Sequence, residues 1–183
     1  MKIVFQGWLS ARLDLPNEVL GVEVPPETRT RVEEYTFVVE HLSDIVGKLV
    51  LDSATGFMPE WHRLAWILAR DGWRVVATDI HPDVLTLHAD PYITYIHADS
   101  RALPLPAGFA DAATCTSTLE HLTVSDALAV VSEMMRCVRP GGTLVITADL
   151  APWLPAFFGG ETDQMPPPVN SLYPPVYAVV VET

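Results

Sequence analysis

The sequence predicts an α/β fold built on a doubly wound, mostly parallel β-sheet. Two observations lead to this prediction. Between about residues 29 and 150, short apolar runs of strand type alternate with stretches of helical periodicity. The connecting segments carry residues that end helices or make turns, among them Gly47 and Gly72. The length of 183 residues fits one domain.

The first helix and strand follow from residue spacing and turn signals. A capping threonine, Thr28 or Thr30, opens a helix that runs to about Val46. Apolar side chains recur along it at helical spacing, at Val32, Tyr35, Val38, Val39 and Leu42. A short run of strand type follows in "KLVLDS", and a second helix in "PEWHRLAWILARDG", where Pro59 suits the first turn.

The second half of this region repeats the alternation. Strands are predicted in "WRVVATDI", "YITYIHADS", "DAATCTS" and "TLVITADL". A helix is predicted in "VSDALAVVSEMMRCV", with Thr123 and Asp126 spaced as a capping box and "RPGG" as its stop. The segment "PDVLTLHADP" between the second and third strands is short, so we expect about one turn of helix there.

The two ends of the chain differ from this α/β domain, which is assigned to residues 28–150. Residues 1–27 are punctuated by prolines and are predicted to be an irregular N-terminal segment. Residues 151–183 are predicted to be a proline-rich tail with a final strand in "VYAVVVET". Aromatic side chains of the tail would either close over a bound ligand as a lid or plug the core. They are Trp153, Phe157, Phe158 and Tyr173.

The excess of acidic residues limits the expected partners. The net charge is −12 and the chain has no basic run, which disfavours binding to nucleic acid or to an anionic membrane surface. Cys115 and Cys137 form no CxxC pair, so neither a disulfide framework nor a metal site is predicted. The sequence shows neither a signal peptide nor an apolar run long enough to span a bilayer, and a cytoplasmic location is expected.

Polar residues stand at the ends of the predicted strands, where open α/β sheets bind ligands. Asp52 opens a turn with a single glycine, Gly56, and Asp79 ends the next strand. An acidic side chain at that spacing can accept hydrogen bonds from both ribose hydroxyls of an adenosine. Asp99 ends the third strand, and "CTSTLEHL" the fourth. A strand-ending aspartate alone is more often a turn cap, but the four strand ends together favour a nucleotide-like cofactor.

Four stretches make the chain resemble the class I S-adenosylmethionine-dependent methyltransferases, in the methyltransferase type 11-like, small-molecule branch. They are "LVLDSATG", "RVVATDIHP", "YIHADSRALPLPAGFADAATCTSTLEHL" and "MMRCVRPGGTLVIT". The resemblance covers about residues 32–150 and implies a Rossmann-like sheet that is trimmed in its C-terminal part. It implies methyl transfer from S-adenosylmethionine to a small-molecule acceptor, with S-adenosylhomocysteine as product. The alternative is a methyltransferase-like protein that has lost transfer and binds a ligand or partner.

The resemblance also implies roles for individual residues. Those expected to hold the cofactor are Asp52, Ala54, Gly56, Asp79, Ile80, Asp99, Ser100, Cys115 and Thr116. Among them, Asp79 would bind the ribose hydroxyls, and the backbone at Cys115 and Thr116 would meet the methionine amine. Glu120 and His121 would lie toward the substrate. A histidine can act as a base near neutral pH, although either residue could equally cap or position the next helix.

The chain departs from the family pattern at the glycine loop and at the C-terminal edge. In the pattern D-x-G-x-G-x-G, Ala54 and Met58 replace two glycines. Ala54 costs little if its φ is negative, but about 1 kcal/mol or more if φ is positive. A nicotinamide-dependent enzyme is disfavoured, because only Gly56 fits a G-x-G-x-x-G frame. An exposed sheet edge would be covered by the tail or by a second subunit, so a homodimer is predicted as well.

Overall fold

The computed structural model describes residues 2–9, 18–24, 30–58, 63–149 and 176–182. In these residues the chain forms nine β-strands, three α-helices and two short 3₁₀ helices. In chain order they are β1 Lys2–Leu9, β2 Glu18–Val19, β3 Val22–Glu23, α1 Thr30–Leu42, β4 Leu49–Ser53, α2 Arg63–Arg70, β5 Arg74–Asp79, a 3₁₀ helix Pro82–Thr86, β6 Ile93–His97, β7 Ala110–Thr116, a 3₁₀ helix Leu119–His121, α3 Val124–Cys137, β8 Val138–Asp149 and β9 Val176–Glu182.

Seven of the described strands form one sheet in the order β1-β9-β8-β7-β4-β5-β6, and β2 pairs with β3 in a separate hairpin. Strands β4 to β8 run parallel to one another, and β9 lies antiparallel between β8 and β1. The chain moves outward from β4 to β6 and then starts again at β7, on the other side of β4. This reversal leaves room for a ligand at the carboxyl ends of β4 and β7. The predicted doubly wound, mostly parallel sheet is confirmed.

Among the described residues, two apolar clusters hold the layers of the fold together. One joins α1 and α2 to the sheet and includes the fully buried Tyr35, Leu68 and Trp73. The other joins α3 and the second 3₁₀ helix to the sheet through residues such as Leu119 and Met134. Close packing of this kind leaves little freedom to the central strands. Their carboxyl ends, and the turns that follow, are therefore held in fixed relative positions.

Local sequence signals locate several of these boundaries. The hydroxyl oxygen of Thr123 accepts a hydrogen bond from the N–H of Asp126 at 3.2 Å, so the predicted cap of α3 is confirmed. The segment after β5 holds only a 3₁₀ helix, as its length predicts. Helix α1 ends at Leu42 instead of about Val46, because the chain turns before Gly47, whose φ is +108°. Strand β8 starts at Val138, so "RPGG" lies within a strand.

The N-terminal segment corrects one expectation. Residues 1–27 are predicted to be irregular, yet Lys2–Leu9 forms β1, and Glu18–Val19 and Val22–Glu23 form a hairpin. The register of β1 is set by β9, with Lys2 opposite Glu182 and Phe5 opposite Val179. The sequence around β1 does not reveal its pairing with β9, because whether a segment forms a strand depends on the strand beside it. The domain limits themselves stay a prediction.

The end of the chain covers the edge that β8 would otherwise expose. The strand expected in "VYAVVVET" is Val176–Glu182, and it pairs with β8 along seven residues, from Thr143 to Asp149. The tail or a second subunit could cover this edge. In the described residues the tail covers it, and the homodimer stays a prediction. The aromatic residues predicted to form a lid or plug lie outside the described residues.

No helix in the described part of the chain is long and apolar enough to cross a membrane.

Candidate active site

A cavity of about 540 Å³ opens at the carboxyl ends of β4, β5, β6 and β7, where the strand order reverses. One face of α1 closes it. Eight of the residues predicted from the sequence line this cavity: Ala54, Gly56, Asp79, Ile80, Asp99, Ser100, Thr116 and His121. Of the described residues, Asp52, Cys115 and Glu120 were also predicted but do not line it. Most of the predicted residues therefore meet around one cavity, and their roles in binding stay a prediction.

Asp79 joins two loops at the cavity. Its Oδ2 accepts a hydrogen bond from the N–H of Gly56 at 3.0 Å, and its Oδ1 accepts one from the N–H of His81 at 2.8 Å. The ring of His81 stacks on that of Phe57, with centroids 3.9 Å apart, and this contact ties the same two loops together. Each carboxylate oxygen can accept a second hydrogen bond. Asp79, which is 8% exposed, can therefore hold the loops and still bind a ligand hydroxyl.

Asp52 supports the cavity from below. It is buried at the end of β4, where its oxygens accept hydrogen bonds from the hydroxyls of Thr55 at 2.5 Å and Thr114 at 2.8 Å. Burial raises the pKa of Asp52 to about 6, while the two hydroxyls act in the opposite direction. Because Thr55 lines the cavity, Asp52 shapes the turn after β4 through Thr55.

We expect Asp52→Asn to change how stability depends on pH. The pKa of Asp52 is higher in the folded protein, about 6, than the usual 3.8, so the folded state binds the extra proton between these values. The stability that this group contributes below about pH 4 is lost as the pH rises through about 6. Asparagine carries no charge, so the variant does not lose this stability. The free energy of unfolding of the variant, relative to that of the wild type, should therefore rise by up to about 2 kcal/mol when the pH is raised from 4 to 7. Urea unfolding at both pH values measures this difference, and a constant difference would contradict the prediction.

Ala54 occupies the left-handed region, with φ +56°. It lies in the turn after β4, which is fixed by a hydrogen bond from the N–H of Thr55 to the carbonyl oxygen of Thr78 at 2.9 Å. An alanine in this region is strained by about 1–2 kcal/mol. Ala54 also lines the cavity. Such strain clusters at functional sites, and here the surrounding hydrogen bonds hold the turn in place.

We expect Ala54→Gly to raise the free energy of unfolding by about 0.5–1 kcal/mol. Glycine removes the left-handed strain, although the greater freedom of the unfolded chain offsets part of the gain. The matched control is Ala102→Gly, at an exposed turn residue whose φ is not positive. This control should leave stability unchanged or lower it. Urea unfolding measures both variants, and equal effects would show that the turn is not strained.

The loop after β6 forms the third side of the cavity. Ser100 accepts a hydrogen bond from the hydroxyl of Ser53 at 2.8 Å, which links this loop to the end of β4. Arg101 contacts Asp99 and Asp126, each at 2.7 Å, and thereby joins the loop to the start of α3. These hydrogen bonds from Arg101 hold the pKa of Asp99 below its usual value. Asp99 is therefore a charged acceptor at the cavity wall.

The carboxyl end of β7 and the segment after it form the fourth side. Thr116, Ser117, Thr118 and His121 line the cavity there, and Ser117 has a φ of +42°. Cys115 is buried beneath them, and burial raises the pKa of its thiol to about 12, so the side chain stays neutral. Of the predicted substrate-side pair, the structure brings His121 to the cavity. Within the described residues, no group of three or more His, Cys, Asp or Glu side chains is arranged to hold a metal ion.

Helix α1 contributes residues that the sequence interpretation missed. Arg31 and Tyr35 line the cavity, and Glu34 lies buried behind them. One oxygen of Glu34 accepts a hydrogen bond from Arg31 at 2.6 Å. The sequence does contain a signal for this contact. Arg31 and Glu34 are three residues apart, and they lie on the same helix face as the apolar Val38. A charged pair within an apolar stripe indicates a buried polar contact.

A family model for the methyltransferase domain matches residues 56–146, which span the turn after β4 to β8. The chain belongs to the class I methyltransferase family. A demethylmenaquinone methyltransferase of Beutenbergia cavernae is 31% identical to this class I domain over 150 residues. That match covers 80% of this chain and 58% of the relative, so the chain spans little more than half of the relative's length.

Solved structures agree with this methyltransferase fold. The PH0226 protein of Pyrococcus horikoshii superposes with a TM-score of 0.58 and 22% identity, over 73% of this chain and 60% of that one. The 1,6-didemethyltoxoflavin N1-methyltransferase of Burkholderia thailandensis has the same TM-score with 16% identity, over 82% and 76% of the two chains. That structure contains S-adenosylhomocysteine and 1,6-didemethyltoxoflavin. At such identities the likeness shows the fold alone.

Proposed function

We propose that this methyltransferase domain transfers the methyl group of S-adenosylmethionine to a small-molecule acceptor. The observation that carries the proposal is the carboxylate of Asp79. It lies nearly buried at the end of β5 and lines a cavity of about 540 Å³, where its oxygens can accept further hydrogen bonds. That volume is in the usual range of small-molecule and cofactor sites, roughly 300–1,000 Å³. The position and chemistry of Asp79 fit the two ribose hydroxyls of the cofactor.

The other sides of the cavity fit the remaining parts of the cofactor. Ile80 is 62% exposed beside Asp79 and offers an apolar surface on which an adenine ring would stack. Asp99 and Ser100 would meet the polar edge of that ring, as the family resemblance implies. The turn of Ala54 and Gly56 and the backbone at Thr116 would hold the methionine end. These assignments are proposals, and they place the adenosine on the β5 and β6 side of the cavity.

Methyl transfer makes modest demands on the residues of this chain. Bound S-adenosylmethionine supplies a methyl group on a positively charged sulfur, so the protein need only position the acceptor and exclude water. The apolar Leu122 and Val130 and the ring of Tyr35 also line the cavity, and they would displace water around a bound acceptor. His121, which is exposed on the same wall, would accept a proton from an acceptor of high pKa.

Two findings support a small-molecule acceptor. The cavity is concave and partly apolar, which suits a compact organic ligand. The Beutenbergia relative acts on demethylmenaquinone according to its name, and this chain is 31% identical to it. The acidic net charge of −12 also disfavours a nucleic acid acceptor.

Isothermal titration with S-adenosylmethionine and S-adenosylhomocysteine tests the proposal directly. We expect micromolar binding of both ligands, followed by methylation of an acceptor from a panel of quinols, phenols and amines. If neither ligand binds, the proposed function is wrong. If both bind and no acceptor in the panel is methylated, the alternative of a ligand-binding protein without transfer is favoured.

A further inference from the structure

Glu34 is a fully buried carboxylate that lies outside the cavity. It belongs to α1 and is 0% exposed. Its Oε1 accepts hydrogen bonds from the hydroxyls of Ser117 at 2.6 Å and Thr147 at 2.5 Å, and its Oε2 accepts one from Arg31 at 2.6 Å. One side chain thus connects the helix to the end of β7 and to β8.

Removing the Glu34 carboxylate from water costs free energy, and the stability of α1 does not require a carboxylate at this position. A carboxylate removed from water needs good partners, and an apolar residue of similar size often gives equal or greater stability. A polar network that is fully hydrogen-bonded does, however, fix the positions of its members. Two members, Arg31 and Ser117, line the cavity. The network therefore determines what this corner of the cavity presents to a ligand.

The contact with Glu34 fixes the direction of the Ser117 hydroxyl. This hydroxyl donates to Glu34, which is ion-paired with Arg31, so Ser117 turns only lone pairs toward the cavity. The same contact holds Ser117 in its left-handed conformation, with φ +42°. On the other oxygen, Glu34 holds the guanidinium of Arg31 at the wall. This corner thus combines a cation with hydrogen-bond acceptors, which suits a ligand that carries a carboxylate and an ammonium group.

We propose that Glu34 is a positioning residue for the amino-acid end of the methyl donor. The inference rests on the proposed function, and it adds to the binding site a residue that influences affinity without touching the ligand. Asp79 and Asp99 lie on the β5 and β6 side of the cavity, whereas the corner made by Arg31 and Ser117 lies on the β7 side. A donor that spans the cavity with its nucleoside at Asp79 brings its carboxylate and ammonium groups to that corner. Glu34 acts there through Arg31 and Ser117.

Two ligands separate this role from a general structural one. S-adenosylhomocysteine has both the nucleoside and the amino-acid end, whereas 5′-methylthioadenosine lacks the amino-acid end. We expect Glu34→Gln to weaken S-adenosylhomocysteine about tenfold or more and 5′-methylthioadenosine by less than about twofold. In the variant, an NH₂ that faces Arg31 removes the contact with the guanidinium, which can only donate. An NH₂ that faces the two hydroxyls reverses those hydrogen bonds, so Ser117 accepts one and no longer turns only lone pairs toward the cavity. Glu40→Gln, on an exposed position of the same helix, is the matched control and should leave both affinities unchanged.

Thr147 provides a second test that keeps the carboxylate. Thr147 does not line the cavity, yet its hydroxyl helps to hold Glu34. Thr147→Val should weaken S-adenosylhomocysteine selectively, by roughly threefold, and Thr147→Ser should restore the affinity. Circular dichroism and thermal melting check that each variant is folded.

The outcomes distinguish the two proposals. If the wild-type protein binds neither ligand, the proposed function fails. If it binds both, but Glu34→Gln weakens the two ligands equally, or Thr147→Val and Thr147→Ser bind alike, the role of Glu34 is overturned and the proposed function stands. Selective loss of S-adenosylhomocysteine, with rescue by serine, supports the inference.

Discussion

Asp79→Ala is expected to weaken the binding of S-adenosylhomocysteine about a hundredfold or more. The carboxylate accepts backbone hydrogen bonds from Gly56 and His81 and faces the cavity. Alanine removes the acceptor for the ribose hydroxyls and also frees the two loops that the carboxylate joins. Hydrogen bonds to a charged group contribute about 1.5–3 kcal/mol each, so the loss of two corresponds to a hundredfold change or more. Isothermal titration measures the change.

Two variants control for the effects of charge and of the loop. Asp79→Asn keeps the shape and one acceptor oxygen, so its affinity should fall between those of the wild type and the alanine variant. Asp83→Ala removes an exposed carboxylate from the same loop, close to His81, and should leave the affinity unchanged. If Asp79→Ala binds S-adenosylhomocysteine as tightly as Asp83→Ala does, Asp79 does not hold the cofactor.

Trp73→Ala should lower the free energy of unfolding by about 3–5 kcal/mol, which is a large part of the stability of a domain this size. The indole is fully buried where α2 returns to β5. Its N–H donates to Asp71 at 3.2 Å, and the ammonium of Lys48 lies 4.6 Å from the ring centroid. A cavity at this point would loosen the start of the strand that carries Asp79. Urea unfolding followed by circular dichroism measures the loss.

Trp73→Phe is the graded control for this substitution. Phenylalanine keeps an apolar ring in the core but loses the hydrogen bond to Asp71 and part of the contact with Lys48. The expected loss is about 1–2 kcal/mol. If the alanine and phenylalanine variants unfold at the same urea concentration, packing of the indole does not stabilise the core.

Much of the fold could be predicted from local patterns. Helix caps, glycines and apolar spacing located α3, β4 to β8 and the short 3₁₀ helix after β5. These elements depend on contacts between residues that are near in sequence, so the signals lie in short windows. Strand β1 could not be predicted in this way, because its partner is β9, at the opposite end of the chain. Long-range pairing is decided by the sheet, and a single window of sequence does not contain it.

The candidate site also has a part that local sequence predicts and a part that only the folded structure decides. By itself, the sequence determined which strand ends carry polar residues, and hence that Asp79, Asp99 and the turn of Gly56 meet at one edge of a parallel sheet. It did not show which of these side chains reach the cavity. Asp52 and Cys115 are buried behind the wall, because successive residues of a strand point to opposite faces and only the three-dimensional packing decides what covers each face.

Two features were decided by the tertiary structure alone. The sequence placed Ala54 at a glycine position, but the sign of its φ depends on Thr55, whose contacts with Thr78 and Asp52 fix the turn. Likewise, Glu34 reads in the sequence as one acidic residue of a helix, and only the packing of α1 against β7 and β8 removes it from water. The sequence could determine which residues stand at the strand ends, since position in a strand is a local property. Backbone conformation in the turn and burial of a charge depend on partners that are distant in sequence, so the folded structure decides them.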